Sequence, residues 1–330
     1  MVGCGAIAEA FHLPALAADP SVLSALALVD PDLERASALS RRFGTGGGVF
    51  SSLDEVVGQI YGAVVTAPHS LHYPICKTLL DHGVAVLCEK PLTTDLAEAE
   101  DLVARADAAG IPFAVNQTRR LYPSHRKIRE MIQEGALGAL RRVACFEGEV
   151  FDWPAASGTY FGRASGGHGV ILDRGAHQVD LLCWWLGEGE LLECLHDSTG
   201  GSEATASLKL RFGSVEAEVH LSWLAKFPNN CTIQGERGGV ELGIYEQDRF
   251  RLTGQGGRPR EVRVPGGKTQ VALAGTLINN FIQVLREGAA PLIPAADVLP
   301  SLRILDACYR TGRNFDEPWL MPAFLEESDV

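Results

Sequence analysis

The segment Gly3-Cys4-Gly5-Ala6-Ile7-Ala8 reads G-x-G-x-x-A, and the fold of the N-terminal half follows from it. The first glycine permits a tight turn, the second lets the backbone approach a pyrophosphate, and the small third residue lets the following helix pack close to the sheet. A helix N-terminus after such a turn offers free N–H groups and a positive dipole end to phosphate. Two glycines alone also mark ordinary loops, but Asp30 follows Ala8 by 22 residues at the end of the next apolar run. An acid at that place can bind the hydroxyls of an adenosine ribose. It also repels a 2′-phosphate, Asp32 adds a second negative charge, and Arg35, the nearest cation, comes a helical turn later. The residues therefore favour NAD over NADP, with Gly3, Gly5, Ala6, Ile7 and Asp30 as cofactor contacts. Only Met1-Val2 precede Gly3, where a strand of about five or six residues is needed, so the first strand is expected to be truncated.

Outward from this loop, short apolar runs at 25–29, 62–67, 84–88 and 112–116, and a weaker one at 48–50, alternate with helical patterns. The helices are expected at 6–18, 31–43, 53–59, 71–82 and 95–109. In the last of these Leu96, Ala99, Leu102, Val103 and Ala106 keep the spacing of a core-facing stripe. Near-continuous apolar strands alternating with helices indicate a parallel sheet covered on both faces. The expectation for residues 1–117 is a Rossmann-type, doubly wound dinucleotide-binding domain.

Residues 118–330 read as a second domain of α+β type, for substrate binding and oligomerisation. After a helix at 124–134, strands are expected at 140–150, 205–212, 215–223, 230–235, 239–242 and 261–264. Val215-Glu216-Ala217-Glu218-Val219-His220-Leu221 alternates apolar and polar, as in an antiparallel sheet with one wet face, and Gly213-Ser214 reads as a hairpin turn. Helices at 173–186, 276–286 and 298–311 complete the pattern.

Composition narrows the class. A chain of 330 residues with 46% apolar residues can fill two cores, and a formal charge of −12 argues against a nucleic-acid partner, which needs a basic surface. The sequence contains no run of about twenty apolar residues, so a membrane partner is not expected. Eight scattered cysteines, with no C-x-x-C and no Cys/His cluster, give no metal site and fit a reducing, cytoplasmic location with most thiols buried.

Three further segments lie where chemistry is expected. Thr66-Ala67-Pro68-His69-Ser70-Leu71-His72 and Cys88-Glu89-Lys90-Pro91 each follow an apolar strand, at the carboxyl end where such sheets bind ligands. Asp173-Arg174-Gly175-Ala176-His177-Gln178-Val179-Asp180 opens a helix. With the Glu89-Lys90-Pro91 triplet and the D-x-x-x-H-x-x-D spacing, the sequence resembles the Gfo/Idh/MocA family of nicotinamide-dependent oxidoreductases. The resemblance runs by motif from Gly3 to about Trp185 and more loosely beyond. It implies a Rossmann domain, a second domain with an open, mostly antiparallel sheet that commonly carries the subunit interface, and a substrate held between them.

The resemblance also implies a catalytic group of Lys90, Asp173 and His177. The residues themselves agree. Asp173 and His177 are four apart and share one helix face, and His177 has a suitable unperturbed pKa for the hydroxyl proton of a carbinol. Lys90 can hold the reacting oxygen and stabilise its developing charge. Either His177 or Lys90 can take the proton first, and Asp173 orients and charge-balances the pair or simply caps its helix. Asp180 reads as structural, as do Trp184 and Trp185. Pro91 is placed to adopt a cis bond that aims Lys90.

Thr66, Pro68, His72, Glu89 and Lys90 complete the expected cofactor contacts. Substrate contacts are expected from Lys90, Asn116, Arg120, Tyr160, Asp173 and His177. Arg120 suits a carboxylate or phosphate, and the aromatics of 151–161 can stack on a sugar ring or wedge the loop onto the domain. The leading function is hydride transfer between NAD(H) and a secondary alcohol or ketone of a sugar, nucleotide sugar or cyclitol, by a homodimer or homotetramer. The alternatives are a glycoside hydrolase or lyase that uses a tightly bound NAD, and a non-catalytic NAD-binding protein.

Overall fold

A computed structural model describes residues 1–154 and 168–316. The chain divides into two compact units that no single cut separates. The first holds Met1–Lys127, a short passage from Trp153, and Val264–Leu302; the second holds Ile128–Asp152, the described chain from His168 to Arg263, and Arg303 onward.

In the first unit a π-helical turn, Ala8–His12, leads into α1 (Leu13–Leu16), followed by α2 (Pro20–Ala25), β1 (Leu28–Val29), α3 (Leu33–Phe43) and β2 (Val49–Phe50). Then come β3 (Gly62–Val65), α4 (His72–Asp81), β4 (Ala85–Glu89), α5 (Leu96–Ala109) and β5 (Phe113–Asn116). β1 and β2 pair in parallel, as do β3, β4 and β5 in that order. All residues of β4 and β5 are buried, as expected for strands covered on both faces. α5 forms where its sequence dictates. Asp95 caps it by accepting from Glu98 N at 3.1 Å, Ala99, Leu102, Val103 and Ala106 are buried, and Gly110 ends it in the left-handed conformation.

The missing first strand is supplied by a single residue. Val2 bridges in parallel to Val29 on one side and to Val65 on the other, so it joins the two sheet fragments. Val2 N donates to Val64 O at 2.8 Å, Thr66 N to Val2 O at 2.8 Å, Gly3 N to Val29 O at 2.8 Å and Val29 N to Met1 O at 2.9 Å. Among the described residues Val2 alone occupies the slot of the first strand. Two helical expectations change. The 6–18 helix widens into the π turn ahead of Pro14, whose ring cannot donate and needs clearance from the preceding turn. The 53–59 helix is instead two 3-10 turns, Leu53–Glu55 and Val57–Gln59, split at Val56 with φ −132°.

α9 (Gln270–Glu287) also belongs to the first unit. Its Leu273, Leu277, Ile278 and Phe281 are buried in one cluster with Met1, Leu13, Leu28, Val64 and Leu87. Each such side chain contributes about 1.5–3 kcal/mol on burial.

In the second unit α6 (Pro123–Gln133), which begins in the first, leads to β6 (Leu140–Gly148), α7 (Val170–Asp173) and α8 (Gly175–Leu186). β7 (Glu190–His196), β8 (Thr205–Phe212), β9 (Val215–Ser222), β10 (Asn230–Gly235), β11 (Gly238–Gly243), β12 (Arg249–Gly254) and β13 (Arg260–Arg263) follow, with α10 (Leu299–Thr311) and β14 (Arg313–Asn314) at the end. They form a nine-stranded sheet of order β13-β12-β11-β10-β6-β9-β8-β7-β14. Only β6–β9 and β7–β14 are parallel, so the expected mostly antiparallel sheet is present. β8 buries Ala206, Leu208, Leu210 and Phe212 on one face, and Lys209 on the other pairs with Glu193 of β7 at 2.7 Å. Gly213, with φ 60°, makes the expected turn into β9. β7 escapes sequence reading because its apolar residues do not keep a period of two with polar ones, whereas β12 alternates as Arg249-Phe250-Arg251-Leu252-Thr253 with only two apolar residues to mark it. Cys145 and Cys231, directly opposite on β6 and β10, are disulfide-bonded, which corrects the reading of eight separate thiols; their sequence separation of 86 hid the pairing.

Two outcomes are expected. Val2→Pro removes the donor to Val64 O from a buried ladder and should lower the unfolding free energy by about 2 kcal/mol or more in urea titrations. Burial pushes the His125 imidazole down to about 3, while it sits 2.8 Å from Arg119 O through Nδ1. The native state therefore prefers neutral His125, whose contribution is full above its unfolded pKa of about 6.5 and is lost as pH falls toward 3. Stability measured over that window should fall more steeply in wild type than in His125→Gln, by on the order of 5 kcal/mol at most.

Candidate active site

The glycine loop opens the site in the first unit. Gly3 has φ 92°, and a Cβ there would lie 2.6 Å from Ala67 N and 2.7 Å from Thr66 C, so only glycine lets the loop lie against the end of β3. Gly5 differs: a Cβ there would meet nothing within 4 Å. The first helical bond runs from Glu9 N to Gly5 O at 3.1 Å, so the earlier N–H groups at Ala6 and Ile7 lie outside the helix's own ladder. An open glycine and a helix N-terminus together fit a dinucleotide pyrophosphate.

Asp30 stands at the end of β1, 8% exposed. Its Oδ2 accepts from Cys4 N at 2.7 Å and its Oδ1 from Asp32 N at 2.9 Å. The carboxylate therefore braces the loop, with its remaining lone pairs left for a ribose. Thr66 is buried, and its Oγ1 donates to Gly3 O at 2.6 Å. Pro68 is exposed just before the 3-10 turn His69–Leu71. His72 is 0% exposed, its ring lying between Pro91 O at 2.8 Å and Ala67 O at 2.9 Å. Burial holds its pKa below the ordinary value. His72 thus ties the two strand-end segments together and presents no surface to a ligand, which corrects its expected role as a contact.

β4 ends in the reactive segment. Glu89, 7% exposed, accepts through Oε1 from Asn116 Nδ2 at 2.5 Å, and the same oxygen lies 2.5 Å from His12 Nε2. Its Oε2 accepts from Lys90 N at 3.1 Å. Burial would raise the Glu89 pKa, but the bonds to His12 and Asn116 and the Lys90 charge outweigh it and leave the carboxyl below its usual range. The Lys90–Pro91 bond is cis, as the sequence suggested. Asn116, expected as a substrate contact, is 6% exposed and spends its amide on Glu89. Among the described residues His12 Nδ1 and Asn116 Oδ1 are buried with no hydrogen-bond partner. His12 was missed in the sequence because its partner lies 77 residues away.

Arg120 is 4% exposed, and its guanidinium reaches Asp297 Oδ2 at 3.4 Å and Asp297 O at 3.0 Å. The basic stretch is therefore buried and paired within its own unit, and Asp297 was the missed partner. Tyr160 lies outside the described residues. Of the aromatic segment that leads to it, Trp153 stacks on Phe11 at 6.2 Å and Phe151 meets Trp223 edge-on at 5.1 Å.

In the second unit Asp173 ends α7 and His177 lies in the first turn of α8, both half-buried. Asp173 Oδ2 accepts from Trp223 Nε1 at 3.2 Å. Neither α7 nor α8 has a side-chain cap, so Asp173 is not a helix cap. Asp180, 1% exposed, belongs to the core of α8. Among the described residues no cluster of His, Cys, Asp and Glu could hold a metal ion.

Two family models match the chain. Residues 1–117 match "Oxidoreductase family, NAD-binding Rossmann fold" and residues 125–241 match "GFO/IDH/MocA C-terminal domain". The chain is 30% identical over 247 residues to dTDP-3,4-didehydro-2,6-dideoxy-alpha-D-glucose 3-reductase of Actinomadura kijaniata, covering 72% of each. The chain belongs to the Gfo/Idh/MocA family. It is an oxidoreductase of that family. Rhizopine catabolism protein MocA of Rhizobium meliloti is 28% identical over 57% of this chain, a match that spans 56% of that protein. A 3-ketoreductase from Actinomadura kijaniata, solved with TDP-benzene and NADP, superposes with a TM-score of 0.82 at 25% identity, over 96% of this chain and 98% of that one.

The two glycines separate structure from binding. Gly3→Ala should destabilise the fold by about 3 kcal/mol or more, since both its φ and its space forbid a Cβ. Gly5→Ala should keep stability within about 1 kcal/mol yet weaken dinucleotide binding at least tenfold, measured by thermal melts and NADH fluorescence.

Proposed function

We propose that this oxidoreductase transfers a hydride between NAD(H) and a secondary alcohol or ketone of a sugar, nucleotide sugar or cyclitol. The observation that carries this reading is the anchoring of Glu89. Fixed by His12 and Asn116, it holds the backbone of Lys90 at the carboxyl end of β4. The similarity to a nucleotide-sugar 3-reductase supports the substrate class.

A bound nicotinamide supplies or accepts the hydride. The chain's own groups deal with the oxygen and its proton. The Lys90 ammonium donates to the carbinol oxygen and stabilises charge there as the C–H bond breaks. Either His177 removes the hydroxyl proton while Lys90 stays charged, or a neutral Lys90 amine removes it and so becomes the ammonium that faces the oxygen; in reduction the same group returns the proton. Asp173, held by the Trp223 indole, orients and charge-balances His177 on the adjoining turn.

NAD is preferred in this reading. Asp30 presents its carboxylate at the ribose position, and Arg35, the nearest cation, pairs with Asp32 at 3.0 Å rather than standing ready for a 2′-phosphate. A shallow groove of about 750 Å³ along α3 carries Asp32 and Glu34 beside Arg35 and Arg41, so its charge is mixed. The solved 3-ketoreductase carries NADP, which makes the comparison of the two cofactors the first test. The reading includes self-association through the wet face of the nine-stranded sheet. It also includes a cytoplasmic location, in keeping with six buried free thiols at Cys4, Cys76, Cys88, Cys183, Cys194 and Cys308.

Fluorescence titration of nucleotide-free protein should give micromolar NADH binding, with NADPH at least tenfold weaker. A panel of sugars, nucleotide sugars and cyclitols, followed at the nicotinamide absorbance, should then give turnover. Lys90→Met should retain NADH affinity and lose turnover about a hundredfold or more. Wild-type turnover in that variant removes Lys90 from the mechanism, and binding of neither cofactor defeats the reading.

A further inference from the structure

The helical turn that ends at Asp173 and leads into the helix of His177 is anchored by a residue outside the expected catalytic group. α7 has no cap of its own, because the residue before it, Gly169, has no side chain. Its leading N–H groups are instead met from 34 residues away. Glu203 Oε1 accepts from Gly169 N at 3.0 Å and from Ile171 N at 2.9 Å, while Glu203 O accepts from Val170 N at 2.9 Å. Tyr309 Oη, on α10, donates to the same Oε1 at 2.8 Å. Three successive amides and one phenol thus converge on one side chain and its carbonyl.

Glu203 is 2% exposed, and no cation among the described residues pairs with it. Burial raises its pKa in spite of the donors around it. A buried carboxylate without a cation is a costly way to cap a helix, since Ser or Asp at position 169 would do it locally. Position 169 cannot take that solution. A Cβ on Gly169 would lie 1.9 Å from Glu203 O, so the close approach of these two segments excludes a local cap.

The next residue extends the anchor. Ala204 O accepts from Trp223 N at 2.7 Å, and the Trp223 indole in turn donates to Asp173 Oδ2 at 3.2 Å. The pair itself is pinned from behind, since Asp197 Oδ1 accepts from Ala204 N at 2.8 Å and Thr205 N at 3.0 Å. Glu203-Ala204 therefore reaches Asp173 by two routes, through the amides of its helix and through the tryptophan on its carboxylate.

We propose that Glu203 is a positioning residue for this oxidoreductase: it fixes α7, which ends at Asp173 and leads through Arg174 into the α8 turn of His177, and, with Ala204, the carboxylate of Asp173. Its catalytic consequence rests on the assignment of Asp173 and His177 made above. Glu203 touches neither substrate nor cofactor.

The test uses the full chain with Glu203→Ala, Glu203→Gln and Tyr309→Phe. In Glu203→Ala, kcat should fall at least 30-fold, NADH affinity should stay within twofold, and the amides of Ile171–Asp173 should exchange with solvent at least tenfold faster. Glu203→Gln keeps an acceptor oxygen and should recover kcat to within about fivefold of wild type. Tyr309→Phe keeps every backbone contact and serves if the alanine variant does not fold; it should lower kcat two- to fivefold and shift the Trp223 indole N–H resonance. Exchange at Ile171–Asp173 and the Trp223 resonance both unchanged in the folded variants would overturn the proposal, as would a kcat that follows only the folded fraction. A wild-type chain that binds NADH but turns over no polyol defeats the functional reading instead. The amide exchange and indole resonance then still decide whether Glu203 holds the turn.

Discussion

The first unit depends on one residue of backbone. Val2 lies between Val29 and Val65 and joins a two-stranded fragment to a three-stranded one, so the parallel sheet is continuous only through it. Met1–Gly3 makes four backbone bonds of 2.8–2.9 Å to its neighbours, and these also set where Gly3 turns. Because Gly3 leaves this slot against the Thr66–Ala67 backbone, the loop, the helix after it and the acid at Asp30 take their places from the same short ladder. The surrounding apolar cluster of Met1, Leu13, Leu28 and Val64 keeps water from competing for these bonds.

In each unit the segment that carries expected site residues is held by buried polar groups. Glu89 is set by His12 and Asn116, and it passes that order to Lys90 through one backbone bond. Asp173 is set by Trp223 and by the turn that Glu203 caps. In both places a buried glutamate, Glu89 or Glu203, accepts several hydrogen bonds, which gives a stiff support in a medium where an unmet bond is costly.

What was legible in the sequence has a common character. The glycine loop and the Glu89-Lys90-Pro91 triplet are local patterns, readable because their physics is local, a turn and a strand end; the Asp173–His177 spacing was read as one helix face, and the break at Arg174 that puts them on α7 and α8 was not legible. The alternation of Val215–Leu221 was readable for the same reason, since a half-wet strand has a period of two. What escaped were partners distant in sequence. His12 meets Glu89 across 77 residues, Arg120 meets Asp297 across 177, and Gly169 meets Glu203 across 34. Nothing local in those residues distinguishes a surface arginine from a buried one, or a substrate-facing asparagine from one turned inward. Val2 was undervalued for a related reason. A strand was sought as a run of residues, whereas the sheet needs only an occupant with the right neighbours.

The placement of α9 has a consequence for how the polypeptide is made. Leu273, Leu277, Ile278 and Phe281 complete the apolar cluster that Met1, Leu13 and Leu28 begin, yet they are translated after nearly all of the nine-stranded sheet. As the chain leaves the ribosome, the nucleotide-binding half therefore waits with an uncovered apolar face while the other half emerges and folds. Synthesis runs at about 5–20 residues per second, so the wait lasts on the order of ten seconds or more. During that time the exposed face is a natural client for chaperones, and a nonsense codon anywhere before residue 270 would release a chain whose first half is never closed.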